Sequence, residues 1–178
     1  ITVTGNTLFL NVLFIAATTI TSVAIAIMLA EISNKWVKKI TQSIVILPHF
    51  MSWTIVSMLS VAILSANGVV NQLITMVGGK TIEFYNTPSV WPAILVILKV
   101  WQGAGFGSIV YLATITGIDA SIYEAAAVDG ASKTQCIFKV TLPMLKNTII
   151  MLTIMSVGKI FNGDFGMIYN LVLNNTML

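Results

Sequence analysis

The sequence TLFLNVLFIAATTITSVAIAIMLA, residues 7–30, carries no charged side chain anywhere along its length. An α-helix needs about 20 residues to cross roughly 30 Å of hydrocarbon, and this stretch exceeds that length. The stretch therefore predicts a helix that spans a membrane.

The composition of the whole chain agrees with this prediction. Of its 178 residues, 57% are hydrophobic and 8% are charged, against about 25% charged residues in soluble domains. The mean hydropathy is +0.94. A soluble secreted enzyme and a disordered chain are disfavoured, and the single Cys136 excludes an internal disulfide. The lysines are scattered between apolar runs, so no basic patch for nucleic acid is present.

Three further stretches are apolar enough to predict membrane spans, at residues 40–66, 91–118 and 147–163. Pro48 predicts a kink in the second of them. We therefore expect an all-α, polytopic membrane helical bundle, with about four spans in one domain over residues 1–178. Because the chain opens with Ile1 rather than Met, we expect it to be an excerpt of a longer protein.

The distribution of lysines predicts the orientation of these spans. The first and third connections, residues 31–39 and 119–146, hold six of the nine lysines, whereas the middle connection holds only Lys80. Loops rich in lysine stay on the cytoplasmic side. The third connection is thus predicted to be cytoplasmic, with the N-terminus of the first span outside.

The 119–146 segment contains the signals of two short helices. Ser121-Ile-Tyr-Glu124 and Ser132-Lys-Thr-Gln135 both fit a capping box, in which each side chain satisfies a free backbone N–H of the other residue. Gly130 is placed to end the first helix, since glycine enters left-handed backbone without penalty. Pro143 predicts a bend into the fourth span. We expect helix, glycine turn and helix in sequence.

The order of residues in this segment carries a resemblance. Glu124-Ala125-Ala126, Asp129-Gly130-Ala131 and Leu142-Pro143 resemble the EAA loop of membrane subunits of binding-protein-dependent ABC importers. Trp101-Gln102 and the run from Tyr111 to Asp119 are similar to the carbohydrate permeases of that family, especially those for oligosaccharides and aldouronates. The resemblance covers essentially the whole chain.

The resemblance implies a type I ABC importer permease, whose EAA loop is a coupling helix that docks on a separate cytoplasmic ATPase subunit. The residues that would form this contact are Glu124, Ala125, Ala126, Asp129, Gly130 and Ala131. It further implies a second homologous permease subunit, an extracytoplasmic solute-binding protein and an oligosaccharide-type substrate. The subunit would have no catalytic residue, cofactor or metal of its own, and would lie in a bacterial plasma membrane, with a further span beyond Leu178.

Two lysines lie inside predicted spans. A charge in the bilayer costs about 2.5–3.5 kcal/mol on insertion scales and marks a functional position by default, so Lys99 and Lys159 are candidates for lining a translocation path. The alternative is that their long stems reach water at the membrane edge. Trp101 is a third candidate, either as a surface on which sugars stack or as an interfacial anchor.

Other motifs have structural explanations. Gly79-Lys80-Thr81 imitates the end of a phosphate-binding loop, but Ile74 stands where that motif requires a glycine. Gly103 and Gly107 have the small-xxx-small spacing of closely packed membrane helices. His49 has no Cys or carboxylate at ligand spacing, which favours a packing role over a metal site.

The sequence is also compatible with three other functions. An ion-coupled secondary transporter needs acidic residues inside its spans, and none is predicted there. An ABC permease for a non-sugar solute shares every feature of the loop. A structural or assembly protein would use the loop to bind a cytoplasmic partner without transport.

Overall fold

The computed structural model describes residues 2–160 and 164–172, and these residues form helices and no strand. The α-helices are α1 (Thr2–Ala30), α2 (Lys35–Ile46), α3 (Trp53–Leu64), α4 (Val69–Met76), α5 (Trp91–Thr116), α6 (Ala120–Val128), α7 (Lys133–Cys136), α8 (Leu142–Val157) and α9 (Phe165–Val172). Short 3₁₀ turns lie at Leu47–Phe50, Phe84–Asn86 and Pro88–Val90, and a π-helical turn at Ile137–Thr141.

Four helical stretches are long and apolar enough to cross a membrane. They are Thr4–Ala30, Trp53–Met76, Pro88–Thr116 and Lys133–Val157. All six acidic residues lie outside these stretches, so no carboxylate has to be paired or neutralised within them. The prediction of an all-α membrane bundle with about four spans is confirmed.

The second predicted span, residues 40–66, is not one continuous helix. Pro48 lies in the 3₁₀ turn Leu47–Phe50, where its missing N–H breaks the α-helical ladder. The Ser52 side chain then caps a new helix by accepting from the Ile55 N–H at 3.4 Å. The stretch that meets the length and hydropathy of a span is Trp53–Met76 instead.

The fourth predicted span, residues 147–163, begins earlier in the structure. Pro143 lies in the first turn of α8, where a residue without an N–H is tolerated. It therefore does not separate the loop helix from the span, since α7, the wider π turn and α8 follow one another without a break. Residues 161–163 of the prediction lie outside the described residues.

The sequence predicts one domain, whereas the contacts group the chain into two compact units. The first unit comprises Ile1–His49 and Lys99–Phe161, and the second comprises Phe50–Leu98 and Asn162–Leu178.

The first unit is built on α1, α8 and the part of α5 from Lys99 to Thr116. Its core consists of Val23, Ala26 and Leu29 from α1, Tyr111, Leu112 and Ile115 from α5, and Leu145 from α8. These seven residues are buried and apolar, and each helix contributes at least one of them. The three helices therefore share a single apolar core.

Small residues let helices of the first unit approach closely. A Cβ at Gly107 would lie 2.7 Å from the Ser22 hydroxyl oxygen, and one at Gly103 would lie 3.7 Å from the Thr18 methyl group. The Ser22 hydroxyl donates to the Ala104 carbonyl at 3.0 Å. The predicted packing role of Gly103 and Gly107 is confirmed.

A further close approach is not evident from the sequence. A Cβ at Gly105 would collide with the backbone carbonyl of Val45 in α2. Backbone atoms cannot turn aside as a side chain can, so among the described glycines of the first unit Gly105 is the one with the least room for a side chain.

In the second unit, one buried amide fixes the connection that follows α4. The Asn71 side chain donates to the carbonyls of Ser65 at 3.0 Å and Ile82 at 2.9 Å, and it accepts from the Ile82 N–H at 2.8 Å. The Ser57 hydroxyl donates to the Asn170 carbonyl at 2.6 Å and joins α3 to α9. Hydrogen bonds between polar side chains and backbone groups thus join separate parts of this unit.

Replacing Gly105 with Ala tests the contact between α5 and α2. We expect Gly105→Ala to destabilise the protein by about 1–3 kcal/mol, the usual cost of overpacking, because the Val45 carbonyl has to move. The readout is the thermal unfolding temperature of the detergent-solubilised protein. Gly103→Ala, on the same helix with room for a methyl group, is the control and should be neutral or stabilising. Equal unfolding temperatures for the two variants would contradict the described packing.

Candidate functional site

The segment between α5 and α8 begins with a capped helix. The Asp119 carboxylate accepts from the Ser121 N–H at 2.9 Å and caps α6. This hydrogen bond holds the pKa of the Asp119 carboxyl below its ordinary value, because it favours the charged form. The predicted capping box of Ser121 and Glu124 is wrong, since the helix begins earlier, at Ala120. Glu124 is left exposed on the helix surface.

The end of α6 is a glycine motif of the Schellman type. Gly130 has a φ of +75°, its N–H donates to the Ala127 carbonyl at 3.0 Å, and the Ala131 N–H donates to the Ala126 carbonyl at 2.9 Å. These two bonds satisfy carbonyls that the helix end would leave free. The predicted role of Gly130 as helix terminator is confirmed.

The start of α7, the next helix, is also fixed by hydrogen bonds between neighbouring residues. The Gln135 N–H donates to the Ser132 hydroxyl at 3.3 Å, and the Ser132 N–H donates to the Gln135 side-chain oxygen at 2.7 Å. This is the predicted capping box. One long-range contact then joins α6 to the π turn, where the Tyr123 and Thr141 hydroxyls lie 3.0 Å apart.

The surface of the segment is composed of small and exposed residues. Of the residues that the sequence singles out, Glu124, Ala125, Asp129 and Gly130 are exposed, and Ala126 and Ala131 are half-buried. The segment also exposes two large apolar side chains, Val128 at 87% and Phe138 at 64%. Val128 was not predicted from the sequence. Its signal was a large apolar residue that follows three consecutive alanines in the last turn of α6.

An ion pair connects the segment to the first connection, residues 31–39. The Lys133 ammonium lies 3.7 Å from the Glu31 carboxylate, with both side chains exposed. Such pairs contribute little stability. The contact does place the first and third connections side by side, as the lysine distribution predicts.

The structure separates the three residues predicted to line a path. Lys99 is half-buried on α5, and Trp101, two residues further along, is 44% exposed. Lys159 is exposed, just beyond the end of α8. Lys159 lines a cavity of about 360 Å³ between α1, α5 and α8, and neither Lys99 nor Trp101 is among its lining residues.

The cavity is lined by hydroxyl groups from all three helices. Those hydroxyl-bearing residues are Thr18, Thr19 and Ser22 of α1, Tyr111 of α5 and Ser156 of α8. Phe106 also lines it, with its ring stacked on the His49 imidazole at a centroid distance of 4.3 Å. The stacking agrees with the packing role expected for His49.

Comparison with known proteins identifies the family. The family model described as "Binding-protein-dependent transport system inner membrane component" matches residues 22–177. The chain belongs to this family. The resemblance read from the 119–146 segment is confirmed, and the family description agrees with the predicted membrane location.

Individual relatives and solved structures support the same conclusion. The chain is 36% identical over 172 residues to the polygalacturonan/rhamnogalacturonan transport system permease protein YteP of Bacillus subtilis (strain 168), covering 96% of this chain and 53% of YteP. It is 33% identical over 146 residues to Protein LplB of the same organism, covering 82% of this chain and 46% of LplB. The chain thus spans about half the length of the curated relatives it matches.

A crystal structure of a bacterial alginate ABC transporter, in complex with an alginate pentasaccharide-bound periplasmic protein, contains a similar chain. The TM-score is 0.91 at 38% identity, over 97% of this chain and 60% of that one. The predicted type I ABC importer permease fold is confirmed.

Replacing Gly130 tests whether the turn fixes the segment. We expect Gly130→Ala to destabilise the turn by about 1–2 kcal/mol, because L-residues pay that cost in left-handed backbone. A less stable turn is unfolded in a larger fraction of the molecules, and trypsin cleaves after the exposed Lys133 in that fraction. Cleavage of the folded protein should therefore become roughly tenfold faster.

The matched control for this variant is Gly117→Ala. A Cβ at Gly117 meets the Ala113 and Thr114 carbonyls at an ordinary distance of 3.5 Å, so its cleavage rate should stay near that of the unaltered protein. Unchanged cleavage in Gly130→Ala would show that the glycine turn does not hold the segment.

Proposed function

We propose that this chain is part of the permease subunit of an ABC importer that carries a carbohydrate of oligosaccharide type. The segment from Asp119 to Leu142 couples it to ATP-binding subunits in the cytoplasm. The observation that carries the proposal is the hydrogen bond that joins α6 to the last candidate span, between the Tyr123 and Thr141 hydroxyls at 3.0 Å. ATP hydrolysis takes place in the partner subunits, so this subunit is not an enzyme.

The geometry of the segment supports a role as a lever. α6 is capped at both ends and is joined to the π turn through the Tyr123 and Thr141 hydroxyls. From Thr141, the helical run that ends at Val157 continues for roughly 24 Å, at 1.5 Å per residue. A displacement of α6 by a moving partner is therefore passed along one helix into the membrane.

The surface of α6 supports docking in a groove. Ala125 and Ala126 allow close approach, Val128 supplies an apolar anchor, and Glu124 and Asp129 supply polar contacts around it. Interfaces of this kind combine a desolvated apolar centre with a polar rim. Gly130 and Ala131 hold the turn that presents this surface.

The relatives support the choice of solute and partners. YteP is named as a permease for polygalacturonan and rhamnogalacturonan, and the alginate transporter was crystallised with its periplasmic protein. By analogy, we assign this chain a second homologous permease subunit, an extracytoplasmic solute-binding protein and a bacterial inner membrane. Lys99, Trp101 and Lys159 are proposed to lie along the path of the solute.

The rival functions predict different observations. An ion-coupled transporter needs a carboxylate within its spans, and all six acidic residues lie outside the four candidate spans. An ABC permease for a non-sugar solute would retain the ATPase contact but import amino acids or ions in place of glycans. An assembly protein would retain the contact and import nothing.

Val128→Lys in the complete permease tests the coupling surface. We expect it to weaken association with the ATP-binding subunits by about tenfold or more, since an apolar anchor is replaced by a charge that loses its hydration. The fold should be unaffected, because a cation near a helix C-terminus is favourable. The readouts are co-purification of the ATP-binding subunits and uptake of labelled oligosaccharides.

Val77→Lys is the matched control. Val77 is 85% exposed against 87% for Val128, and it follows a helix that ends in the same glycine motif, at Gly78 and Gly79. This variant should keep both association and uptake. Full association in Val128→Lys, or equal loss in both variants, would contradict the proposal.

A further inference from the structure

We infer that the cavity between α1, α5 and α8 binds the carboxylate of an acidic sugar residue, with the Lys159 ammonium as its counter-ion. The inference rests on the proposed transport of carbohydrates and narrows the substrate class to glycans that contain uronate residues.

The charge of the cavity lining points to an anion. Among the described residues that line it, Lys159 is the one charged residue, and none is Asp or Glu. The described lining therefore has a net charge of +1. A charge-assisted hydrogen bond to a carboxylate is stronger than one between neutral groups.

The rest of the lining suits a saccharide. Ser22 and Ser156 donate their protons to the Ala104 and Leu152 carbonyls, so their oxygens remain free to accept from sugar hydroxyls. The Thr18 hydroxyl oxygen is buried and has no hydrogen-bond partner among the described residues. A polar ligand beside Thr18 would supply the missing bond.

The volume of the cavity limits what it can hold. About 360 Å³ is near the lower end of ligand pockets, which measure roughly 300–1,000 Å³. A cavity of this size recognises one or two sugar residues at a time rather than a whole oligosaccharide, as expected for a site along a path. Two of the similar proteins are described as transporters of polygalacturonan and of the acidic polysaccharide alginate, both built from uronates.

The test measures equilibrium binding of two radiolabelled probes to the assembled transporter in nanodiscs. One probe is trigalacturonate, and the other is the neutral trisaccharide made by reducing its carboxyl groups. The variants are Lys159→Gln, Lys159→Arg as the conservative replacement, and Lys80→Gln as a control that removes a lysine outside the cavity lining.

We expect Lys159→Gln to lower the affinity for trigalacturonate about tenfold, the usual cost of losing a hydrogen bond to a charged group, and to leave the neutral probe unchanged. Lys159→Arg and Lys80→Gln should bind both probes as the unaltered protein does. The inference is overturned if Lys159→Gln affects both probes equally or neither, or if trigalacturonate does not bind.

A different readout separates this inference from the proposed function. The ATP-binding subunits are assayed for co-purification in every preparation. A transporter that assembles but shows no Lys159-dependent binding contradicts only the acidic-sugar assignment. Failure to assemble contradicts the importer function itself.

Discussion

Six buried serine, asparagine and threonine side chains in the described part of the chain each donate a hydrogen bond to a backbone carbonyl. These residues are Ser22, Ser57, Ser60, Asn71, Ser108 and Thr141. Hydrocarbon offers no water to satisfy a polar group, so each donor must find its acceptor inside the protein. This constraint explains why the fold is helical throughout and why its polar side chains lie where helices meet.

The same constraint governs how the helices meet. The Ser22 hydroxyl reaches the Ala104 carbonyl only because Gly107 has no side chain in the way. Apolar burial does not drive helices together in lipid as it does in water, so close packing through small residues replaces it. In the segment between α5 and α8, the Gly130 turn and the Ser132 capping box satisfy backbone groups at the helix ends. The need to satisfy backbone groups thus shapes both the candidate spans and this segment.

Local signals in the sequence predicted what depends on local chemistry. The first span, the Gly130 turn and the Ser132 capping box follow from the residues in one or two helical turns. The N-cap of α6 was predicted at Ser121 and not at Asp119. Both residues carry a side chain that can accept from the first free N–H groups of a helix, and they lie only two positions apart.

Features that depend on tertiary contacts were harder to predict. Whether Pro48 kinks or breaks a helix depends on the residues around it. Pro143 was expected to bend the chain, but it lies in the first turn of α8, where proline is tolerated. The sequence could not show that Lys159 and the hydroxyl-bearing residues of α1 and α5 line one cavity, because that juxtaposition exists only in three dimensions.

Amide hydrogen exchange in the complete permease, with and without its ATP-binding subunits, tests the central claim that α6 seats on those subunits. The account predicts slower exchange across Ala120–Val128 and the Gly130 turn when the subunits are present, and no change in α4, which ends in the same glycine motif. Unchanged exchange in α6, or equal slowing in α4, would contradict it.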